Sequence, residues 1–339
     1  MKKLSFVLLI ISAFTQGIAV GQSGPAPTVV GQARNMISAG QVDEAITLLT
    51  AQLKANPANP ALRFLLGQAY YKKNDYVNAV ATLTPLGKPA APEPSDYRAT
   101  IQMLAMSHYL QGHLAESIHY LEQITLWFRD NTQLAYALGV CYIQTRQPDK
   151  SRDVFAGLYQ LEPKSAAAYM MNARMLLRQQ FEETAEAELV KAIQLDPKTP
   201  QAHFLLGEIA VYRADLERGV ALFQKEIALN PAFDQPYYRL GETYTRQLKW
   251  DEALPPLQKA IWLNPFFSGP YIVMGKAYLK KNDLPNAESM LRRATQMDPN
   301  NFSAHHLLAQ TLQQAGRADE AKQEFAVAER LRAANEKQP

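Results

Sequence analysis

The chain has 339 residues, 47% of them hydrophobic and 20% charged, with a formal net charge of +3. That share of apolar side chains can build a packed core and excludes an intrinsically disordered chain. A balance so close to neutral also argues against a nucleic acid or an anionic membrane as the main partner.

The first 21 residues read as a secretory leader: Met1-Lys2-Lys3, an apolar stretch from Leu4 to Phe14, and the small residues Ala19 and Gly21 before a cut. Ser5, Ser12, Thr15 and Gln16 interrupt the stretch, which leaves it short of the roughly 20 residues that span a bilayer. No cysteine lies near the cut, so lipid attachment has no acceptor there. The expectation is cleavage after about residue 21, export to the periplasm or beyond the cell, and no membrane span in the mature chain. Losing Lys2 and Lys3 lowers the formal charge of +3 by two. A short segment, 22–25, precedes the rest. Cys141 is the single cysteine and has no internal partner for a disulfide; its helix position predicts a buried, inert thiol.

From residue 26 onward the chain repeats. The segments YQLEP, KAIQLDP, KEIALNP, KAIWLNP and RRATQMDP close at Pro163, Pro197, Pro231, Pro265 and Pro299, each 34 residues after the last. Placing these prolines at position 32 of a unit puts Leu206-Gly207, Leu240-Gly241 and Met274-Gly275 at positions 7 and 8. Tyr142, Tyr244 and Tyr278 then share position 11, and Ala185, Ala253 and Ala287 share position 20. Phe155, Phe223 and Phe325 fall at position 24, and Ala192, Ala260 and Ala294 at position 27. Small residues let two helix backbones approach, and the large ones fill the space beside them. Units begin at residues 26, 60, 98, 132, 166, 200, 234, 268 and 302, and close at 335, leaving 336–339 as a tail. The units at 26 and 98 are degenerate, with Ala33 and Ala105 in place of the glycine and Arg129 in place of a closing proline.

In chain order, Gly40, Asn74, Gly112, Asn282 and Gly316 stand at position 15, where a helix ends in a left-handed residue. The stretch LGKPAAPEPSD from Leu86 to Asp96 predicts an early stop of the preceding helix, a loop over about 87–97 and a hinge. Pro236 and Pro270 sit in the tolerated first turn of their helices. Pro255 and Pro256 predict that their helix starts late or kinks. Position 28 runs Ile193, Ile227, Ile261, Thr295 and Glu329, and with Lys322 it reads as a polar end cap that closes the array.

These landmarks resemble the tetratricopeptide repeat family over nearly the whole chain after the leader. The resemblance implies an all-α, right-handed superhelical solenoid of about nine stacked helix-turn-helix units. It implies a protein-binding scaffold with no enzymatic activity.

The residues themselves offer little chemistry. Six histidines, at 108, 113, 119, 203, 305 and 306, show no metal-ligand spacing, and there is no phosphate loop or nucleophile elbow. His203 and His305 occupy position 4 and read as packing residues. Asn301-Phe302-Ser303 matches a glycosylation acceptor too short to carry weight. No catalytic residue, cofactor or metal is expected.

In the family, positions 2, 5, 9, 12 and 13 of the first helix line the concave groove. Carried over, this implies a partner-binding face of Phe64, Tyr71, Met106, Tyr109, Tyr136, Met170, Arg174, Arg178, Phe204, Glu208, Tyr212, Tyr238, Glu242, Arg246 and Lys276. Gln102 and Ile272 complete the row at position 5, and Leu177 and Val211 are the members best read as filling a helix seam. Position 9 lacks asparagine, which disfavours capture of a partner's C-terminal carboxylate. The expected function is an envelope or secreted scaffold holding an extended or helical segment of a partner protein. The alternative is a structural subunit of an envelope assembly or export complex that docks through its convex face or ends.

Overall fold

The structure is a computed structural model that describes residues 28–88, 96–127 and 131–336. The expected leader, residues 89–95 of the expected loop, and Arg129 lie outside the described residues. Among the described residues there are eighteen α-helices and no strand. They alternate in chain order as first and second members of helix pairs.

One compact unit ends at His113 and contains α1 (Val29–Ser38), α2 (Val42–Ala55), α3 (Pro60–Lys72), α4 (Tyr76–Leu83) and α5 (Tyr97–Gln111). The other opens at Leu114 with α6 (Leu114–Gln123), α7 (Thr132–Gln144), α8 (Pro148–Leu158), α9 (Ala166–Arg178) and α10 (Glu182–Leu195). It continues through α11 (Ala202–Tyr212), α12 (Leu216–Leu229), α13 (Asp234–Arg246) and α14 (Trp250–Leu263). It closes with α15 (Ser268–Lys280), α16 (Leu284–Met297), α17 (Phe302–Gln314) and α18 (Ala318–Glu336).

The turn inside each pair is set locally. Position 15 is left-handed in every pair: φ is +80° at Gly40, +62° at Asn74, +78° at Gly112, +60° at Asn282 and +79° at Gly316. Arg146, Gln180, Ala214 and Leu248 adopt the same conformation, with φ between 58° and 64°. The amide that follows donates back to the carbonyl five residues earlier, as in Asp75 to Tyr70 at 2.9 Å and Asp215 to Ala210 at 2.9 Å. This is the helix-closing motif that satisfies an orphan carbonyl. Where that next residue is aspartate, its side chain also caps the second helix: Asp75 accepts from the Asn78 amide at 3.2 Å and Asp215 from Arg218 at 3.1 Å. Asn301, the weak glycosylation match, caps α17 by accepting from the Ala304 amide at 3.1 Å.

Within a pair, small meets large as the repeat requires. An added Cβ at Gly139 would sit 2.5 Å from the Phe155 ring, and one at Gly207 would sit 2.5 Å from Phe223. Ala185, Ala192, Ala253 and Ala287 are fully buried. Within the second unit the core carries from one pair to the next: Phe223 of α12 packs with Val211 of α11 and Leu240 of α13. Inter-pair bonds recur too. Position 14 reaches position 18 of the preceding pair as Lys73–Asp43 at 2.5 Å, Gln247–Glu217 at 3.1 Å, and Lys281–Asp251.

Helix α4 stops after 8 residues, whereas α10, α12, α14 and α16 each have 14. The early stop before the proline stretch is therefore present. The expected late start of the helix carrying Pro255 and Pro256 is not: α14 begins at Trp250 and runs to Leu263 with both prolines inside. Buried Ala253 and Leu257 anchor it on either side of the prolines. The carbonyls that lose their amide donors belong to Asp251 and Glu252, both exposed, so water can satisfy them.

Two buried polar arrangements have no precedent in the repeat. Glu188, pushed above the usual carboxylate range by burial, meets Arg152 at 3.1 Å and Asn172 at 2.8 Å. Arg152 also bonds Asp149 at 2.7 Å and lies over the Tyr169 ring at 4.2 Å, so α8, α9 and α10 are pinned together. Glu226 occupies position 27, where neighbouring pairs carry alanine, and it is fully buried. Its carboxylate accepts from the amides of Gln201 at 2.9 Å and Phe204 at 3.3 Å. That bond holds Gln201 left-handed at φ 65°, and α11 begins only at Ala202.

Candidate functional site

The residues expected to meet a partner lie on the first helices of the pairs, and the structure sorts them by exposure. In the first unit Phe64 is buried at 6% exposure and belongs to the core, which corrects its place in the binding face. Tyr71, Met106 and Tyr109 are half-buried, with Tyr71 edge-on to Tyr76 at 5.8 Å between ring centres. Burial raises the Tyr71 hydroxyl above its ordinary value, with the nearby Tyr76 a smaller cause.

In the second unit Met170 is likewise core, at 7% exposure, and so is Val211. Side chains at these positions face the next helix across a close seam, so a large apolar group there is covered by its neighbour. Tyr136, Phe204 and Tyr238 are half-buried and clasped by other rings. Tyr136 meets Phe155 at 6.1 Å, Phe204 meets Phe233 at 5.3 Å, and Tyr238 meets Phe267 at 4.9 Å, all edge to face. Phe233 and Phe267 close their repeats at position 34, a role the sequence reading did not assign.

Position 13 is different. Arg178, Tyr212, Arg246 and Lys280 follow one another along α9, α11, α13 and α15, and all four are exposed. Tyr212 is 78% exposed. Position 9 adds Arg174 and Lys276, also exposed. Arg174 donates to the Gln201 side chain at 2.7 Å, and Arg246 donates to the Val211 carbonyl at 3.2 Å, which caps the end of the preceding first helix.

The two acidic members of the face are already engaged. Glu208 and Glu242 both grip the half-buried Arg239, a residue absent from the expected face. Its signal in the sequence was Glu242 three residues on, one helical turn away. With those carboxylates engaged, Arg174, Arg178, Arg246, Lys276 and Lys280 have no ion pair among the described residues, and the face is cationic.

Other chemistry is sparse. A shallow open hollow of about 410 Å³ lies between Pro200, Gln201 and the stretch from Leu229 to Phe233; none of its lining side chains titrates. His203 and His305 are buried, and His305 is held between Glu324 at 2.6 Å and the Pro299 carbonyl at 3.1 Å. Cys141 is fully buried, its thiol 3.7 Å from the Ser117 hydroxyl and pushed up to about 11 by burial. Among the described residues no three His, Cys, Asp or Glu side chains converge as a metal site would require. No described helix is long and apolar enough to cross a membrane.

Family models described as tetratricopeptide repeat match residues 36–104 and 278–336, and a second model of the same description matches 103–168. The chain belongs to the tetratricopeptide repeat family. No curated protein matches the chain. Among solved structures of the repeat, the chain is similar to MamA from Desulfovibrio magneticus RS-1, at 22% identity and a TM-score of 0.47, over 50% of this chain and 96% of that one. It is also similar to YrrB, described as a tetratricopeptide repeat protein with an unusual peptide-binding site, at 23% identity and a TM-score of 0.45, over 50% of this chain and 87% of that one. A hetero-tetramer of Cut9 and Hcn1 aligns over 84% of this chain and 55% of that one, at 14% identity and a TM-score of 0.44. In this tetratricopeptide repeat chain the exposed part of the first-helix face is thus a cationic row with one projecting tyrosine.

Proposed function

We propose that this chain is a non-enzymatic scaffold, exported to the envelope or secreted, that holds an extended or helical segment of a partner protein against its first helices. One observation carries the reading: Tyr212, 78% exposed, stands between exposed Arg178 and Arg246 at the same position of adjacent repeats. Tyrosine and arginine supply most of the energy in many interfaces, because they combine a large contact area with directed hydrogen bonds. Cations without an ion pair on either side favour a segment with carboxylates flanking an apolar or aromatic residue. The half-buried rings of Tyr136, Phe204 and Tyr238 give that segment a firm floor, and they are less useful as probes because they also hold the repeat together.

The test uses exposed positions only. Tyr212→Ala combined with Arg178→Glu and Arg246→Glu should leave helicity unchanged and weaken capture of a partner from the exported fraction at least about 30-fold, the loss expected for one such anchor. Unchanged capture by the triple variant rejects the reading.

A further inference from the structure

The second helices of the fifth to eighth pairs present a face that the function proposed above leaves unused. Position 26 of these helices holds Lys191 in α10, Lys225 in α12, Lys259 in α14 and Arg293 in α16, one cation per repeat at a step of 34 residues. Three are exposed and Lys259 is half-exposed; none has an ion pair among the described residues. Their neighbours at positions 22, 25, 29 and 33 include no carboxylate in any of the four repeats, and they add Lys198 and Arg292, the latter paired with Glu288 and Glu320. The whole chain is near neutral, but this strip has one sign.

Beside the cations runs an apolar row. Trp262 is 70% exposed and Phe266 is 84% exposed, while Leu195 and Leu229 are exposed at 48% and 37%. Lys259 stands over the Trp262 ring at 3.7 Å, so cation and aromatic form one projecting group. A soluble surface gains nothing by holding an indole and a phenyl ring in water next to unpaired charges.

We propose that this strip docks on an anionic lipid surface, with the cations against the headgroups and Trp262 and Phe266 inserted among them. Charge complementarity fits a sheet of negative headgroups. The flexible cations demand no fixed partner geometry. Amphipathic rings settle at the depth of the headgroups, and each basic side chain near such a surface strengthens binding about fivefold.

Flotation of the full chain with vesicles of equal parts phosphatidylglycerol and phosphatidylcholine tests this, with pure phosphatidylcholine as the neutral comparison. The expected result is binding to the anionic vesicles that weakens as salt is raised. Lys225→Gln with Lys259→Gln and Arg293→Gln should cut it on the order of a hundredfold. Trp262→Ala with Phe266→Ala should weaken it as well. The variant at Tyr212, Arg178 and Arg246 should float like the unsubstituted chain, so this proposal and the partner-groove reading can fail separately. The apolar leader is common to every variant, and comparison among them isolates the strip. Equal flotation of the triple glutamine variant overturns the proposal. So does absence of binding to anionic vesicles, including the case in which the strip binds polyglutamate instead.

Discussion

Gly139→Ala places a methyl carbon 2.5 Å from the nearest atom of the Phe155 ring, with two more ring atoms within 2.9 Å. Phe155 is fully buried and its ring is braced by Tyr136, so it has nowhere to retreat. Overpacking of this kind costs about 1–3 kcal/mol, while alanine regains about 1 kcal/mol of helix propensity over glycine. The net expectation is a loss of up to about 2 kcal/mol. Phe155→Leu alone leaves a void and should lose a similar amount, well below the 3–5 kcal/mol of a truncation to alanine.

The fifth pair already carries the alternative solution at the same two positions, Ala173 against Leu189, both fully buried. Combining Gly139→Ala with Phe155→Leu recreates that pairing, and the added methyl fills the space the ring vacates. The double variant should therefore be more stable than the sum of the singles predicts, by about 1–2 kcal/mol. Urea denaturation followed by circular dichroism gives the three changes, and hydrogen exchange in α7 and α8 reports the same cycle locally, since stacked repeats need not unfold in one step. Additivity of the two substitutions within about 0.5 kcal/mol would refute the small-against-large account of the repeat.

Leu248→Gly and Ala214→Gly release side chains from left-handed backbone, at φ 60° and 63°, and each should raise stability by up to about 1 kcal/mol in thermal or urea melts; a loss would mean these side chains stabilise the turn by contacts. Burial alone would raise the Glu186 carboxyl, but Arg218 and Arg213, each at 2.5 Å, hold it below the ordinary range, and Glu288 is held low in the same way by Arg292 and Arg317. A depressed carboxylate adds stability above its unfolded value near pH 4.3 that is lost as pH falls through the folded value, so the urea midpoint should drop below about pH 4.5. Glu186→Gln should flatten that dependence, and an unchanged profile would assign acid sensitivity elsewhere; Glu188, raised by burial, contributes with the opposite sign.

The sequence by itself determined what short-range sterics decide. The period of 34, the left-handed turn at Gly40, Asn74, Gly112, Asn282 and Gly316, and the early end of α4 all follow from residues close along the chain. The repeat then extended that geometry to Arg146, Gln180, Ala214 and Leu248, whose side chains gave no hint of it. Burial, pairing and exposure were decided only by stacking, because they depend on residues some thirty positions apart. Phe64 and Tyr136 share position 5 of their repeats, yet Phe64 is 6% exposed while Tyr136 is half-buried, and the helices packed against them make that difference. Arg239 and Glu242 are one helical turn apart on α13, but Glu208 reaches the same guanidinium from α11, and the Glu226 carboxylate closes the start of α11 from α12; only stacking makes those two contacts. Local backbone preference propagates along a repeat; the partner of each side chain is chosen by the helix that packs against it.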